Sequence, residues 1–191
     1  MTELISNLKT LSEAMSVSGY EWHSGEILHQ TLMPYFDEFK KSVNGNYLFI
    51  KRCGIPNAPV LLLDAHYDEI GMMVAEIKEG GFIRVINLGG LDTRIMLAGE
   101  VMIYGNEPVY GVVCVTPPHL QKPGEAQKLP AVNELLIDTG FSAAELEEKG
   151  VCIGSPVGFM QSFTELLGGH VAGRGFDNKA CVAAEIGRAH V

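Results

Sequence analysis

Basic residues are scarce in this 191-residue sequence: 14 Lys and Arg stand against 23 Asp and Glu, a formal net charge of -9. Nucleic acids and anionic membranes are held by a basic face, so the composition argues against both as partners. No apolar stretch is long enough to span a bilayer. The first twenty residues, interrupted by Glu3, Lys9 and Glu13, lack the apolar centre of an export signal. The four cysteines, Cys53, Cys114, Cys152 and Cys181, form no C-x-x-C pair, which excludes the common zinc-cluster spacings. The expectation is therefore a cytoplasmic chain whose thiols are free and mostly buried. What the sequence does have is a globular balance, 47% hydrophobic and 19% charged. That excludes disorder, and the length suits one domain or a core with a smaller module set into it.

The hydrophobic pattern changes character along the chain. Leu4, Ile5, Leu8, Leu11 and Met15 recur at helical spacing, which predicts an amphipathic helix over about 2–15. A second helical pattern runs through Trp22, Ile27, Leu28 and Leu32 to Pro34. Residues 39–43 and 47–51 flank Asn44-Gly45, a dipeptide that tolerates the positive φ of a hairpin turn. Val60-Leu61-Leu62-Leu63 reads as a strand buried on both faces, as in a parallel sheet covered by helices. From about 70 to 165 short alternating runs (72–77, 82–88, 100–104 and 110–115), punctuated by glycine pairs, predict a β-rich module. One short helix is expected inside it, with Ser142 as N-cap, Glu145 completing a capping box and Gly150 beyond its end. Residues 117–130 read as a loop. The α/β pattern resumes at Gly168-Gly169-His170, and Asp177 opens a helical segment over 178–184. The expected domains are thus 1–69, an insertion at 70–165, and the first domain resumed at 166–185.

The chemistry concentrates after the apolar run, in Asp64-Ala65-His66-Tyr67-Asp68-Glu69. Ligands in open α/β sheets bind at the carboxyl ends of strands. If the strand continues through His66 and Asp68, which are two apart, both side chains point the same way. Asp68 can then hold one ring nitrogen of His66 and leave the other for a metal. Taken alone, H-x-D is far more often a plain surface or capping contact than a ligand site. His23 and His29 read as surface residues, His170 as a strand cap, His119 as a loop contact and Asp64 as a structural hydrogen-bonding group. Glu147-Glu148 reads as a solvated helix face.

The wider string narrows this. Leu63-Asp64-Ala65-His66-Tyr67-Asp68-Glu69-Ile70-Gly71 resembles the metal-binding segment of the glutamyl and deblocking aminopeptidases that form tetrahedral particles, family forty-two of the metallopeptidases. Further resemblances follow in order: Val17-Ser18-Gly19-Tyr20-Glu21, Gly45-Asn46, Leu88-Gly89-Gly90, Pro117-Pro118-His119, Ile137-Asp138-Thr139-Gly140, Gly150-Val151, Gly154-Ser155-Pro156-Val157 and Gly173-Arg174-Gly175-Phe176-Asp177-Asn178-Lys179. The resemblance implies an α/β fold, a zinc-exopeptidase-like α/β/α catalytic domain, incomplete here, with an inserted β-barrel-like domain used in oligomer assembly. It implies two divalent ions per subunit, zinc or cobalt by the ligand chemistry. His66 would bind one, Asp177 would bridge both, and Asp68 would orient His66. It also implies a cis peptide at Asp177-Asn178, peptide substrates, and a homo-oligomer, a dodecamer in the full-length protein.

The family's general base and remaining ligands lie downstream of the second metal segment, so this chain is expected to be a fragment inactive by itself. Residues 186–191 leave the apolar helical pattern and resemble the translation of a sequencing-adapter oligonucleotide; they are expected to be a non-native tail. The competing expectation is a non-catalytic family member that retains only the assembly module. Glycan hydrolysis would need two carboxylates flanking a sugar site, and no such pair is evident.

Overall fold

In a computed structural model the described residues are 2–115 and 129–188. The chain divides into two compact units, Met1–Glu69 with Ser162–Val191, and Ile70–Gln161. In chain order the regular elements are α1 Glu3–Glu13, α2 Gly25–Leu32, β1 Glu38–Lys41, β2 Tyr47–Ile50, β3 Gly71–Ile77, β4 Ile83–Leu88, β5 Glu100–Tyr104, β6 Pro108–Cys114, β7 Leu136–Asp138, α3 Ala143–Glu148, β8 Pro156–Phe159, β9 Thr164–Glu165, β10 Val171–Ala172 and α4 Phe176–Arg188.

The unit Ile70–Gln161 is a closed barrel in the order β3-β4-β7-β6-β5-β8, with antiparallel neighbours throughout. The alternation that predicts these strands is visible in their burial. Met72, Val74, Ile83, Val85, Val101, Ile103, Val109, Val113, Ile137 and Val157 fill the interior, with Met96, Leu135, Leu146 and Val151 beside them. A register shift between Val74 and Glu76 bends β3, as a bulge does where a sheet curls on itself. The barrel is closed by β7 and β8, two short strands the sequence pattern does not announce. The helix α3 matches its expectation: Ser142 accepts from the Glu145 amide, the Glu145 carboxylate returns to Ser142, and Gly150 follows with φ +74°. Glu147 and Glu148 are exposed on it, a solvated face.

The other unit packs α1, α2 and α4 around Leu8, Leu11, Leu28, Leu32, Phe163, Val182, Ala183 and Ile186. The Thr2 hydroxyl caps α1 by accepting from the Ile5 amide. After α2, Pro34 sits in a short 3-10 turn over Met33–Tyr35, where its missing N–H costs no helical bond. The β1–β2 hairpin turns at Gly45, whose φ is +90°.

Four expectations need correction. Val60, Leu61, Leu62 and Leu63 are not a buried strand: they are 94%, 81%, 73% and 44% exposed and belong to no sheet among the described residues. An apolar run is buried only if neighbouring strands exist to cover and pair it, and in this unit the sheets are the hairpin β1–β2 and the pair β9–β10, both antiparallel. For the same reason the parallel, helix-covered α/β/α sheet is not assembled among the described residues; a single parallel bridge joins Val17 to Glu69. The cysteines are free, but Cys53, Cys152 and Cys181 are exposed and only Cys114 is partly covered, because they fall in loops and on the outer side of α4. Finally, α4 continues through Gly187 to Arg188 and Ile186 is buried in the core, so the helical pattern does not stop at 186. The segment 116–128, including Pro117-Pro118-His119, and the end of the tail, 189–191, lie outside the described residues. Among those described, no helix is long and apolar enough to cross a membrane.

Candidate metal centre

Two segments far apart in sequence meet in the unit Met1–Glu69, Ser162–Val191. The first leaves the exposed apolar run and passes through His66 to Glu69 without regular structure. The second is the start of α4, where Asp177 (φ -88°, ψ 100°) and Asn178 (φ -122°, ψ 24°) depart from helical geometry. The Asp177–Asn178 peptide is cis, at the position the resemblance implies. Between these segments the His66 ring is held at both nitrogens: Nδ1 lies 3.0 Å from Asp68 Oδ1, and Nε2 lies 3.1 Å from Asp177 Oδ1. The structure thus brings together all three of the residues singled out, His66, Asp68 and Asp177. Asp177 is open to solvent, with a side chain 97% exposed. Burial opposes charging of the His66 ring, but the hydrogen bonds to Asp68 and Asp177 outweigh it, and its pKa is raised.

The remaining candidates fall elsewhere. His23 is exposed and stacked on Trp22. His29 packs edge-on against Phe39, and His170 bonds the Leu167 carbonyl. Asp64 is exposed, and its charge adds to burial in pushing the Glu185 carboxyl up.

Directly behind this pair is a buried ionic cluster that sequence reading overlooked. Glu69 Oε1 lies 3.0 Å from Arg174 Nη1 and 3.3 Å from Lys179 Nζ, and it also accepts from the Ser16 amide at 3.1 Å. The Lys179 side chain is fully buried; its ammonium donates to the Ala14 carbonyl at 2.8 Å and sits 5.3 Å from the Tyr67 ring centre. Arg174 donates to the Glu13 carbonyl, and its own carbonyl accepts from the Ser12 hydroxyl. Gly175, with φ +63°, passes so close that a Cβ there would lie 2.6 Å from Glu69 Oε2. The only sequence signal was the position of these charges, inside the two strings that carry the resemblance.

Burial lowers the Lys179 ammonium to about 8, against the pull of Glu69, and pushes the Tyr67 hydroxyl up to about 12. A pH dependence follows. Between about 8 and the ordinary lysine value of 10.5, the unfolded chain binds more protons at this residue than the folded one. Stability contributed by Lys179 therefore rises with pH across that window and is lost as pH falls to about 8. Comparing urea midpoints of the chain and of Lys179→Met from pH 7.5 to 10 checks this; the two should respond differently, and parallel curves would contradict it.

In kind, the donors suit a divalent ion: an imidazole nitrogen and a carboxylate oxygen converge, and a second carboxylate fixes the ring. In number they fall short, since no group of three or more His, Cys, Asp and Glu side chains placed to hold a metal occurs among the described residues.

Compared with known proteins, residues 45–190 match the M42 glutamyl aminopeptidase family. The chain is 32% identical to the lysyl aminopeptidase of Pyrococcus furiosus over 94% of its own length and 52% of that protein's. It matches the crystal structure of a TET aminopeptidase from a marine sediment archaeon (Thaumarchaeota archaeon SCGC AB-539-E09) with a TM-score of 0.90 at 28% identity, over 98% of this chain and 53% of that one. It also matches the TET1 peptidase of Pyrococcus horikoshii, described as assembling into a tetrahedron or a large octahedral shell, with a TM-score of 0.80 at 27% identity, over 98% of this chain and 56% of that one. The chain spans about half the length of the relatives it matches.

Proposed function

Since this chain belongs to the M42 glutamyl aminopeptidase family, we propose that it carries the first part of the site of a two-metal aminopeptidase that removes N-terminal residues from peptides. The observation that carries this reading is the meeting of His66 Nε2 with Asp177 Oδ1, with Asp68 on the far nitrogen of the ring. His66 would hold one ion through Nε2, and Asp177 would bridge two through its carboxylate; zinc and cobalt suit these donors. When bound, such ions turn a water into a nucleophile near neutral pH and stabilise the oxyanion that forms on the peptide carbonyl. The part played by this chain is positional. Asp68 accepts the Nδ1 proton, which fixes the tautomer that leaves the Nε2 lone pair free and makes it more basic. The general base and the further ligands belong to the part of the family's length that this chain does not span, so the chain alone is proposed to be inactive.

The barrel Ile70–Gln161 is the proposed assembly module. A tetrahedral particle of identical, equivalent subunits contains twelve copies, because a tetrahedron has twelve rotations. A dodecamer is accordingly the proposed state of the whole protein, placed in the cytoplasm.

The test is hydrolysis of short peptides with free N-termini by the whole gene product loaded with zinc or cobalt, alongside His66→Ala and Asp177→Ala. Turnover that both substitutions reduce by at least about 100-fold is expected, as for loss of a metal ligand. No peptide turnover from an intact assembly would contradict the proposal and favour a non-catalytic role. Cleavage of cellulose in place of peptides would contradict it as well.

A further inference from the structure

We propose that Glu69, Arg174 and Lys179 form a positioning device for the metal ligands, locking the His66 segment and the Asp177 turn onto one frame; this rests on the metal-centre reading above. The placement is specific. Glu69 stands three residues after His66, Arg174 three before Asp177 and Lys179 two after it. Arg174 and Lys179 reach the same oxygen, Glu69 Oε1, across the gap between the two segments. The third wall is the stretch 12–18. It takes donors from Arg174 and Lys179 on its Glu13 and Ala14 carbonyls, and gives the Ser16 amide to Glu69.

The first segment is fastened to that wall at several further points. The Tyr67 carbonyl accepts from the Ser16 hydroxyl, the Glu69 amide donates to the Ser16 carbonyl, and the Ser18 amide donates to the Glu69 carbonyl. Tyr67, between His66 and Asp68, lays its ring beside the Lys179 ammonium and donates its hydroxyl to Ser24. His66 and Asp177 themselves are exposed, His66 on a segment without regular structure and Asp177 where the backbone at the start of α4 is not helical, so apart from the bonds His66 makes to Asp68 and Asp177 their placement rests on what anchors the two segments. A buried ionic cluster is a poor source of net stability, because apolar residues of similar volume often do as well. What it does provide is one allowed geometry, with each donor and acceptor committed. Metal sites need that: supporting contacts that fix a ligand's direction are worth roughly 10–100-fold in metal affinity.

The experiment is carried out without metal on the isotope-labelled 191-residue chain carrying Leu61→Lys and Leu62→Glu, which replace two exposed apolar side chains outside the cluster to keep it in solution; this is the parent for the variants below. The His66 ring signals are identified by their loss in His66→Asn and followed in Lys179→Met and Glu69→Gln. Leu28→Ala serves as the control, a substitution in the core of the same unit outside the cluster. The expected result is that both cluster variants shift or broaden the His66 ring signals, and that Leu28→Ala lowers the unfolding midpoint while leaving those signals in place. Arg174→Lys, which keeps the cation and loses the guanidinium fork, is expected to shift them less; it stands in if the neutral variants do not fold. Folded cluster variants with His66 signals identical to those of the parent chain would overturn the proposal, and so would a Leu28→Ala variant that moves them equally. Zinc titration separates the two readings. In the whole gene product Lys179→Met is expected to weaken zinc binding by about 10–100-fold. Zinc that leaves His66 untouched even in the parent would sink the metal-centre reading alone, while the metal-free signals still decide whether the cluster positions the ring.

Discussion

Replacing Glu69 with alanine is expected to destabilise the unit Met1–Glu69, Ser162–Val191 by about 3–5 kcal/mol, the range for stranding a buried charge by removing its partner. Among the described residues the carboxylate is the anion shared by Arg174 and Lys179, and it also accepts from the buried Ser16 amide. Its removal leaves a fully buried ammonium and a nearly buried guanidinium facing each other with no negative charge between them. Lys179→Met should cost less, since Glu69 keeps Arg174 and the Ser16 amide and the methionine fills much of the space. Helices α1, α2 and α4 lie in this unit, so far-ultraviolet circular dichroism reports the transition there in urea. A loss below about 1 kcal/mol for Glu69→Ala would mean that water or relaxation already screens the cluster.

The second large effect concerns Val60 to Leu63. Four consecutive apolar side chains, three of them more than 70% exposed, combine high β-propensity with backbone groups that no strand among the described residues pairs. Such a segment is a template for edge-to-edge association. The isolated chain is therefore expected to bind a hydrophobic dye strongly and to aggregate at micromolar concentration. The double substitution Leu61→Lys and Leu62→Glu is expected to suppress both without changing the unfolding midpoint, because these side chains touch no core. Light scattering and dye fluorescence measure the outcome. A monodisperse parent chain that ignores the dye would contradict the exposure of this segment, and a large drop in midpoint in the double variant would contradict its lack of packing.

Local rules carried much of the fold. The alternation in 72–77, 83–88 and 100–104 is the barrel interior, Ser142 and Glu145 do cap a helix, and Asn44-Gly45 does turn a hairpin. Strands β7 and β8 escaped because they are only three and four residues long, too short for a period to show. They are defined by the partners that close the barrel. The apolar run at 60–63 failed in the opposite way. Its pattern reports a demand for burial, and whether that demand is met depends on strands elsewhere. In the site, His66 and Asp68 were legible because residues two apart on a strand face the same way, and they meet here although their segment has no regular structure. Asp177 was legible only through resemblance, since 111 residues separate it from His66. The cluster of Glu69, Arg174 and Lys179 was marked only by its residues' places in the two strings that carry the resemblance. An isolated charge in a sequence reads as solvated, and only the fold shows that these three are buried against one another.

The central claim is that His66 and Asp177 are ligands of the same metal centre. Anomalous diffraction at the zinc edge, on crystals of the whole gene product grown with zinc, tests it most directly. Two peaks are predicted, one at about 2.0–2.1 Å from His66 Nε2 and both at about 2.0–2.2 Å from the Asp177 carboxylate. Zinc bound elsewhere, with His66 still bonded to Asp177 and no peak beside either, would contradict the account.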